Sequence, residues 1–276
     1  MSVDVEDYFH VSAFEGVIPR DHWSSLPCRV EHNTHHVLDL FDAHNVSATF
    51  FVLGWVGERF PDLIKQIVAR GHELASHGYQ HVRATEQTPT EFGADVRRTK
   101  ALLEDLGGVE VQGYRAASYS IGERNLWALE ELAAAGHRYS SSVYPIRHDR
   151  YGMPSAPRFP FRPNGSEFLE IPVSTIRLGD RNYPCGGGGY FRLFPYAVSK
   201  WAISTVNRVD GKPCVFYFHP WEIDPGQPRQ RHIGLSARVR HYLNLERTEG
   251  RLKRLLGEFR WDRMDRVFLA PEGRAT

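Results

Sequence analysis

Short apolar runs of strand length alternate along the chain with longer segments in which apolar residues recur every three to four positions. The short runs predict strands at residues 3–6, 46–53, 72–76, 111–114, 139–143, 168–173 and 214–218. The longer segments predict helices at residues 33–43, 61–70, 89–106, 123–135, 196–206 and 234–258. This alternation is typical of parallel strands joined by crossover helices, so the sequence predicts an α/β fold.

Glycine and proline mark the boundaries of these segments. Thr88 and Glu91 have the spacing of a capping box, with Pro89 at the first helical position. Residues 144–166 contain five prolines and predict a long loop. The four consecutive glycines at 186–189 fit either a flexible loop or a place where a sugar approaches the backbone.

Charged residues and histidines fall at the ends of predicted strands. Those at or just past a C-terminal strand end are Asp4, Glu6, His77, Arg115 and His219. In a (β/α) barrel these ends meet on one rim, where active sites form. The 276 residues fit such a barrel as a single domain, with a C-terminal helical extension from about residue 233.

His77 and His81 are the strongest candidates for metal ligands. They lie four residues apart, so a short stretch of backbone can bring both imidazoles to one ion. Two histidines and a carboxylate with one open position form the ligand set of a hydrolytic site. We therefore expect one divalent metal ion, zinc first, with cobalt, nickel or manganese as alternatives. In a chain with 14 histidines, the competing interpretation is that the pair is a surface or packing feature.

The composition limits the function classes. A net charge of +1 argues against a general nucleic-acid or membrane-surface binder, leaves a local charged patch open, and favours a small or neutral ligand. No apolar run approaches membrane-spanning length. Three cysteines without CxxC spacing, and the lack of a signal peptide, predict a cytoplasmic location. The chain opens almost inside a strand, and a trimmed start would allow a periplasmic location instead.

Several segments resemble, in order, motifs of the polysaccharide deacetylases of carbohydrate esterase family 4, the NodB-homology enzymes. They are SVDVED at 2–7, ATFFVLG at 48–54, SHGYQH at 76–81, GYRAASY at 113–119 and FH at 218–219. Three further stretches, at 4–9, 187–191 and 242–247, resemble a subgroup tied to bacterial exopolysaccharide gene clusters. The resemblance implies a distorted barrel of seven or eight strands. It also implies one divalent metal held by an acid and two histidines, and removal of N-acetyl groups from amino sugars.

The resemblance also implies roles for individual residues. Asp4 becomes the general base, Arg115 the residue that orients it, and His219 the general acid, beside the ligands His77 and His81. The third ligand stays open between two acids, Glu6 and Asp7. An offset alternative makes Glu6 the base and Asp7 the ligand. We suggest the backbone N–H of Tyr119 as a donor to the oxyanion, and Tyr190 and Trp221 as rings that stack on sugars.

The acids at positions 4, 6 and 7 depart from the adjacent aspartates that are usual in the family. The chain departs from the family pattern at two further positions. Ala117 replaces the proline that follows the family's arginine, and an aspartate expected near residues 139–141 is absent. That aspartate commonly supports the catalytic histidine. We therefore expect another carboxylate to serve His219, and the candidates are Asp149, Glu170 and Glu222.

Three functions remain open at this stage. The first is metal-dependent N-deacetylation of an acetylated amino-sugar oligomer, polymer or lipid-linked precursor. The second keeps the fold and hydrolyses a non-carbohydrate amide, such as a ureide or cyclic imide. The third is a catalytically inactive carbohydrate-binding protein, which the last two departures would explain.

Overall fold

The core of the protein is a seven-stranded parallel sheet that curls into a half-barrel. The structure, a computed structural model, describes residues 1–149, 151–230 and 233–269. The strands of the described residues are β1 Ser2–Val5, β2 Thr49–Val52, β3 Glu73–Ser76, β4 Gly113–Tyr114, β5 Tyr139–Ser140, β6 Leu169–Glu170, β7 Thr175–Leu178, β8 Arg181–Pro184 and β9 Tyr217–Phe218. The order across the sheet is β6-β5-β4-β3-β2-β1-β9. β1 therefore pairs with the last strand of the chain, and the sequence-predicted distorted barrel, with seven strands, is confirmed.

Helices connect and cover the strands. They are α1 Val30–His44, α2 Gly54–Arg59, α3 Pro61–Ala69, α4 Pro89–Gly107, α5 Trp127–Ala134, α6 Gly188–Leu193, α7 Tyr196–Arg208, α8 Leu235–Tyr242, α9 Leu245–Glu258 and α10 Met264–Phe268. The capping box predicted for α4 is present at Thr88. Across the described ranges, no helix is long and apolar enough to cross a lipid bilayer.

The structure differs from the predicted elements in three places. α1 begins at Val30 rather than near residue 33, because a carboxylate distant in sequence accepts its first N–H groups. The predicted helix at 234–258 is two helices, separated where Asn244 adopts a left-handed conformation (φ 55°). β7 and β8, which were not predicted, form an antiparallel hairpin outside the main sheet.

The central strands are hydrophobic on both faces because helices and the barrel interior cover them. All four residues of β2 are buried, and Phe50 and Phe51 point into different apolar clusters. This is the usual composition of a parallel sheet that is covered on both sides. The C-terminal ends of β4, β3, β2, β1 and β9 lie side by side in this order, which brings the residues at these ends together.

The four-glycine run is packed against β9. Gly187 bridges to Tyr217 in parallel, and the N–H of Tyr217 donates to the carbonyl of Gly186 at 2.8 Å. A Cβ at Gly187 would lie 2.0 Å from the carbonyl oxygen of Tyr217, and its φ is 108°. The flexible-loop interpretation of this run is therefore wrong, because a side chain at Gly187 would force the backbone away from β9.

We predict that Gly187→Ala destabilises the protein by about 3 kcal/mol or more, since it adds a backbone clash to an unfavourable φ. Thermal unfolding measures this. The control is Gly189→Ala, where the added Cβ meets only the Arg192 side chain, at 3.8 Å, inside α6. The control should change stability by no more than about 1 kcal/mol. Equal melting temperatures for the two variants would contradict the packing argument.

Candidate active site

Three predicted ligand residues meet at the rim of the barrel. Glu6 follows β1, while His77 and His81 follow β3. The Glu6 Oε1 atom lies 2.9 Å from His77 Nε2 and 3.1 Å from His81 Nε2. All three side chains are buried, and His81 holds a left-handed backbone conformation (φ 53°), which is uncommon outside glycine and asparagine.

The donor set of this cluster fits a divalent cation. His77 Nδ1 lies 2.7 Å from the carbonyl oxygen of Arg115, and a carbonyl can only accept. Nδ1 therefore carries a hydrogen, and Nε2 is the ring nitrogen that faces the Glu6 carboxylate. Two acceptors at this distance need a cation between them, either a proton or a metal ion. Burial raises the pKa of Glu6, but His81 and His219 outweigh it and hold that pKa well below its usual range.

Asp7 lies outside the cluster. Its Oδ1 accepts the N–H of Tyr8 at 2.8 Å, and its Oδ2 accepts those of Arg29 at 2.6 Å and Val30 at 2.8 Å. Burial raises the pKa of Asp7 to about 6, although these hydrogen bonds act to lower it. The geometry therefore contradicts Asp7 as the third ligand, and with it the offset alternative, because its oxygens already cap the start of α1.

Arg115, fully buried, is held by several groups at once. Its Nη1 donates to Asp4 Oδ1 at 2.5 Å and to Ser2 Oγ at 2.9 Å. Its Nε and Nη2 donate to the carbonyl and the hydroxyl of Ser141, each at 3.1 Å. The guanidinium also lies 4.1 Å from the ring centroid of Phe51. One hydrogen bond, rather than a two-bond fork, thus joins the arginine to Asp4, and the other donors fix the arginine itself.

His219 faces both acids of the rim. Its Nε2 lies 3.9 Å from Asp4 Oδ2 and 3.8 Å from Glu6 Oε1, while its Nδ1 lies 2.7 Å from Glu222 Oε1. Burial alone lowers the pKa of His219. The carboxylates of Glu6, Glu222 and Asp4 outweigh burial and raise this pKa to about 9. The imidazole is therefore a proton donor near neutral pH.

Glu222 is the one of the three candidate carboxylates that reaches His219. The other two serve different structures. Glu170 accepts two backbone N–H groups at residues 142–143, and Asp149 is exposed and pairs with an arginine of α8. The i, i+3 spacing of His219 and Glu222, with Pro220 between them, was the signal available in the sequence.

Sequence reasoning missed Arg192, the partner that holds Glu222. Its Nε donates to Glu222 Oε2 at 2.6 Å, and both side chains are buried. Burial raises the pKa of Glu222, but Arg192 and His219 outweigh it and bring the pKa down to about 2. Arg192 lies in α6, thirty residues earlier, and no local pattern identifies it.

Trp221 is not available to stack on a sugar. Its ring lies between His219, at 5.2 Å, and His241, at 4.2 Å, both nearly parallel to it. Only 4% of the residue is exposed. The predicted substrate contact is therefore wrong for this conformation, because both ring faces are covered. Trp221 instead supports the ring of His219.

The two tyrosines among the predicted site residues have different environments. The N–H of Tyr119 donates to the carbonyl of Ala116 at 3.1 Å, so the predicted oxyanion donor is already engaged. The Tyr119 hydroxyl is buried and has no hydrogen-bond partner among the described residues. Tyr190 is half-buried and lines a groove of about 600 Å³ beside the β7–β8 hairpin.

Residues 21–140 match the polysaccharide deacetylase family, and residues 141–269 match a domain of unknown function, DUF3473. The chain contains a polysaccharide deacetylase domain of the NodB-homology type. β1 to β5 lie before or within the first match, while β9 and His219 lie in the second. The rim is therefore built from both segments and from the residues that precede them.

Two curated relatives share parts of the deacetylase domain. A peptidoglycan-N-acetylglucosamine deacetylase of Bacillus cereus is 34% identical over 99 residues, which are 36% of this chain and 36% of that protein. A chitooligosaccharide deacetylase of Bradyrhizobium sp. is 30% identical over 111 residues, 40% of this chain and 48% of that protein. The matched region thus spans less than half of either relative.

Two solved structures resemble the deacetylase domain in fold. A Mycobacterium smegmatis protein, provisionally assigned as a polysaccharide deacetylase, has a TM-score of 0.63 at 20% identity and covers 97% of this chain and 87% of its own. The PuuE allantoinase has a TM-score of 0.59 at 17% identity, with 96% and 87% covered. At these identities the likeness shows the fold alone.

We predict that Glu6→Gln abolishes stoichiometric binding of a divalent metal, since it removes the charged member of the cluster. Elemental analysis after zinc loading and desalting measures this. Asp7→Asn is the matched control, because it changes the neighbouring acid in the same way. It should keep the metal and lose about 1 kcal/mol of stability with the weakened helix cap. Metal retention by Glu6→Gln together with loss by Asp7→Asn would reverse the assignment.

Proposed function

We propose that this protein is a metal-dependent hydrolase that removes N-acetyl groups from amino sugars of a bacterial polysaccharide or its precursor. One observation carries the proposal. A carboxylate and an imidazole face each other at 3.9 Å beside the Glu6–His77–His81 cluster, and each has its own buried partner. This is the arrangement that amide hydrolysis needs: a base, an acid and a site for an electrophile.

The residues of this chain divide the proton transfers between them. A divalent metal bound by Glu6, His77 and His81 would supply a more acidic water and a polarised amide carbonyl. Asp4 takes the proton of the attacking water and is held in place by Arg115. His219, protonated near neutral pH, gives a proton to the departing amine.

The positioning residues behind these groups restrict their motion. Arg115 is fixed through Ser2 and Ser141, so the Asp4 carboxylate has one orientation. Glu222 accepts from the Nδ1–H of His219 and leaves Nε2 directed at the rim. Such preorganisation means that little rearrangement is needed when charge develops in the reaction.

The substrate class rests on the relatives. Their names specify peptidoglycan N-acetylglucosamine and chitooligosaccharides, which are both acetylated amino sugars. The resemblance of three stretches to the exopolysaccharide-associated subgroup supports an exopolysaccharide as the polymer. Zinc is the proposed metal, since two imidazoles and one carboxylate suit it. We also propose a cytoplasmic location, which the free thiols of Cys28, Cys185 and Cys214 support.

The structure bears differently on the two rival functions. Hydrolysis of a ureide or cyclic imide fits the same fold, since an allantoinase shares it. An inactive sugar-binding protein was suggested by Ala117 and by the missing aspartate, but Glu222 supplies a carboxylate beside His219. The structure thus weakens the inactive alternative and leaves the choice between amides to substrate tests.

We predict acetate release from N-acetylglucosamine oligomers by the zinc-loaded protein, and its loss on chelation. Asp4→Asn and His219→Gln, made separately, should each lower the rate about 10²- to 10⁴-fold, because each removes one proton-transfer group. Both should retain the metal, as elemental analysis will show. Release of ammonia or ring-opened product from allantoin or hydantoin, without acetate release, would favour the ureide alternative.

We predict that Glu222→Gln moves the alkaline limb of the pH–rate profile to lower pH. The raised pKa of His219 keeps its proton up to about pH 9, and Glu222 is one of the carboxylates that raise it. Removing that charge lowers the pKa, so the acid is lost earlier as pH rises. Asp149→Asn is the control and should leave the limb in place. A limb that does not move in Glu222→Gln would assign the proton to another group.

A further inference from the structure

Exposed apolar side chains concentrate on one surface. Six of the thirteen large, exposed apolar residues among the described ranges lie on the β7–β8 hairpin and on or between α6 and α7. They are Leu178, Tyr183, Leu193, Phe194, Val198 and Trp201, each 38–52% exposed. All but Leu193 line one shallow cavity of about 170 Å³, which shows that they are neighbours. We call these six residues the apolar patch.

A basic groove borders the apolar patch. The groove, of about 600 Å³, shares Tyr183 and Phe194 with the patch and is also lined by three arginines, Arg147, Arg177 and Arg181. All three arginines are exposed, and none forms an ion pair among the described residues. The groove contains one acid, Asp180, so its charge is positive.

We propose that the apolar patch and the basic groove together dock the protein on the surface of an anionic lipid bilayer. Aliphatic and aromatic side chains that project beside uncompensated arginines match the two layers of such a surface. The apolar residues would enter the acyl boundary while the arginines meet the lipid phosphates. The hairpin, α6 and α7 would lie on the bilayer without crossing it.

The composition of this surface argues against other occupants. Leu178, Leu193 and Val198 offer no hydrogen bond, so the hydroxyls of a glycan lying on them would lose water without gaining a partner. A second copy of the chain would bring the same three arginines to the interface again, and the groove supplies only Asp180 to offset them. A soluble anion would neutralise the arginines but leave six apolar side chains in water. An anionic bilayer offers an apolar layer to the patch and phosphates to the arginines of the groove.

The inference is independent of the proposed deacetylase activity, because docking needs neither the metal cluster nor turnover. Co-sedimentation with two kinds of vesicle tests it, one of phosphatidylcholine and one with about a third phosphatidylglycerol. We expect the metal-loaded protein to partition onto the anionic vesicles at least about tenfold better, and to be released as salt rises.

A pair of double variants locates the binding surface. Leu178→Asp with Arg181→Glu alters the docking surface and should reduce partitioning at least about tenfold. Leu126→Asp with Arg124→Glu makes the same changes near α5, where Leu126 is 40% exposed, and should bind like the wild type. Thermal melting checks that both variants fold, and acetate release from soluble oligomers should be equal in both.

Several results would overturn the proposal. One is absence of binding to anionic vesicles, and another is equal binding to neutral ones. Equal losses in the two double variants would show that the surface is not specific. The last measurement is sedimentation velocity without lipid. If the wild type is a dimer and the Leu178/Arg181 variant is a monomer, the patch binds a second copy of the chain instead.

Discussion

The structure depends on the pairing of ionised groups that the barrel rim withdraws from water. Asp4, Glu6, Arg115 and Glu222 are each 2% exposed or less. An isolated buried charge costs several kcal/mol, so each must find a counterion or a dense set of hydrogen bonds. Arg115 pairs with Asp4, and Arg192 and His219 pair with Glu222. A cation shared with His77 and His81 would compensate the charge of Glu6. The site is therefore one network.

This network explains why distant parts of the chain are needed together. Asp4, the proposed base, lies in the first strand, the histidine pair follows the third, and His219 follows the last. Because β9 pairs with β1, His219 comes to lie beside Asp4. The close contact of Gly187 with Tyr217 braces β9 from its other side, and α6, which starts next, carries the arginine that holds Glu222.

Side-chain identity is a weak guide to the role of a residue at two positions of the site. Trp221 is an aromatic residue next to a candidate acid, and such residues often meet substrate. Here, two histidine rings cover its faces. Asp7 follows a candidate ligand by one position, yet the chain turn after β1 directs it at the first N–H groups of α1. In both cases the residue type was compatible with two roles, and packing selected one.

The sequence by itself determined the alternation of strands and helices, the parallel barrel, and the placement of Asp4, Glu6, His77, Arg115 and His219 on one rim. These follow from apolar periodicity and from where each strand ends, both of which are local properties. The partners of those residues were decided by tertiary structure. The contact of Arg192 with Glu222, and the choice of Glu6 over Asp7, depend on ångström-scale distances between segments far apart in the chain, which periodicity does not encode.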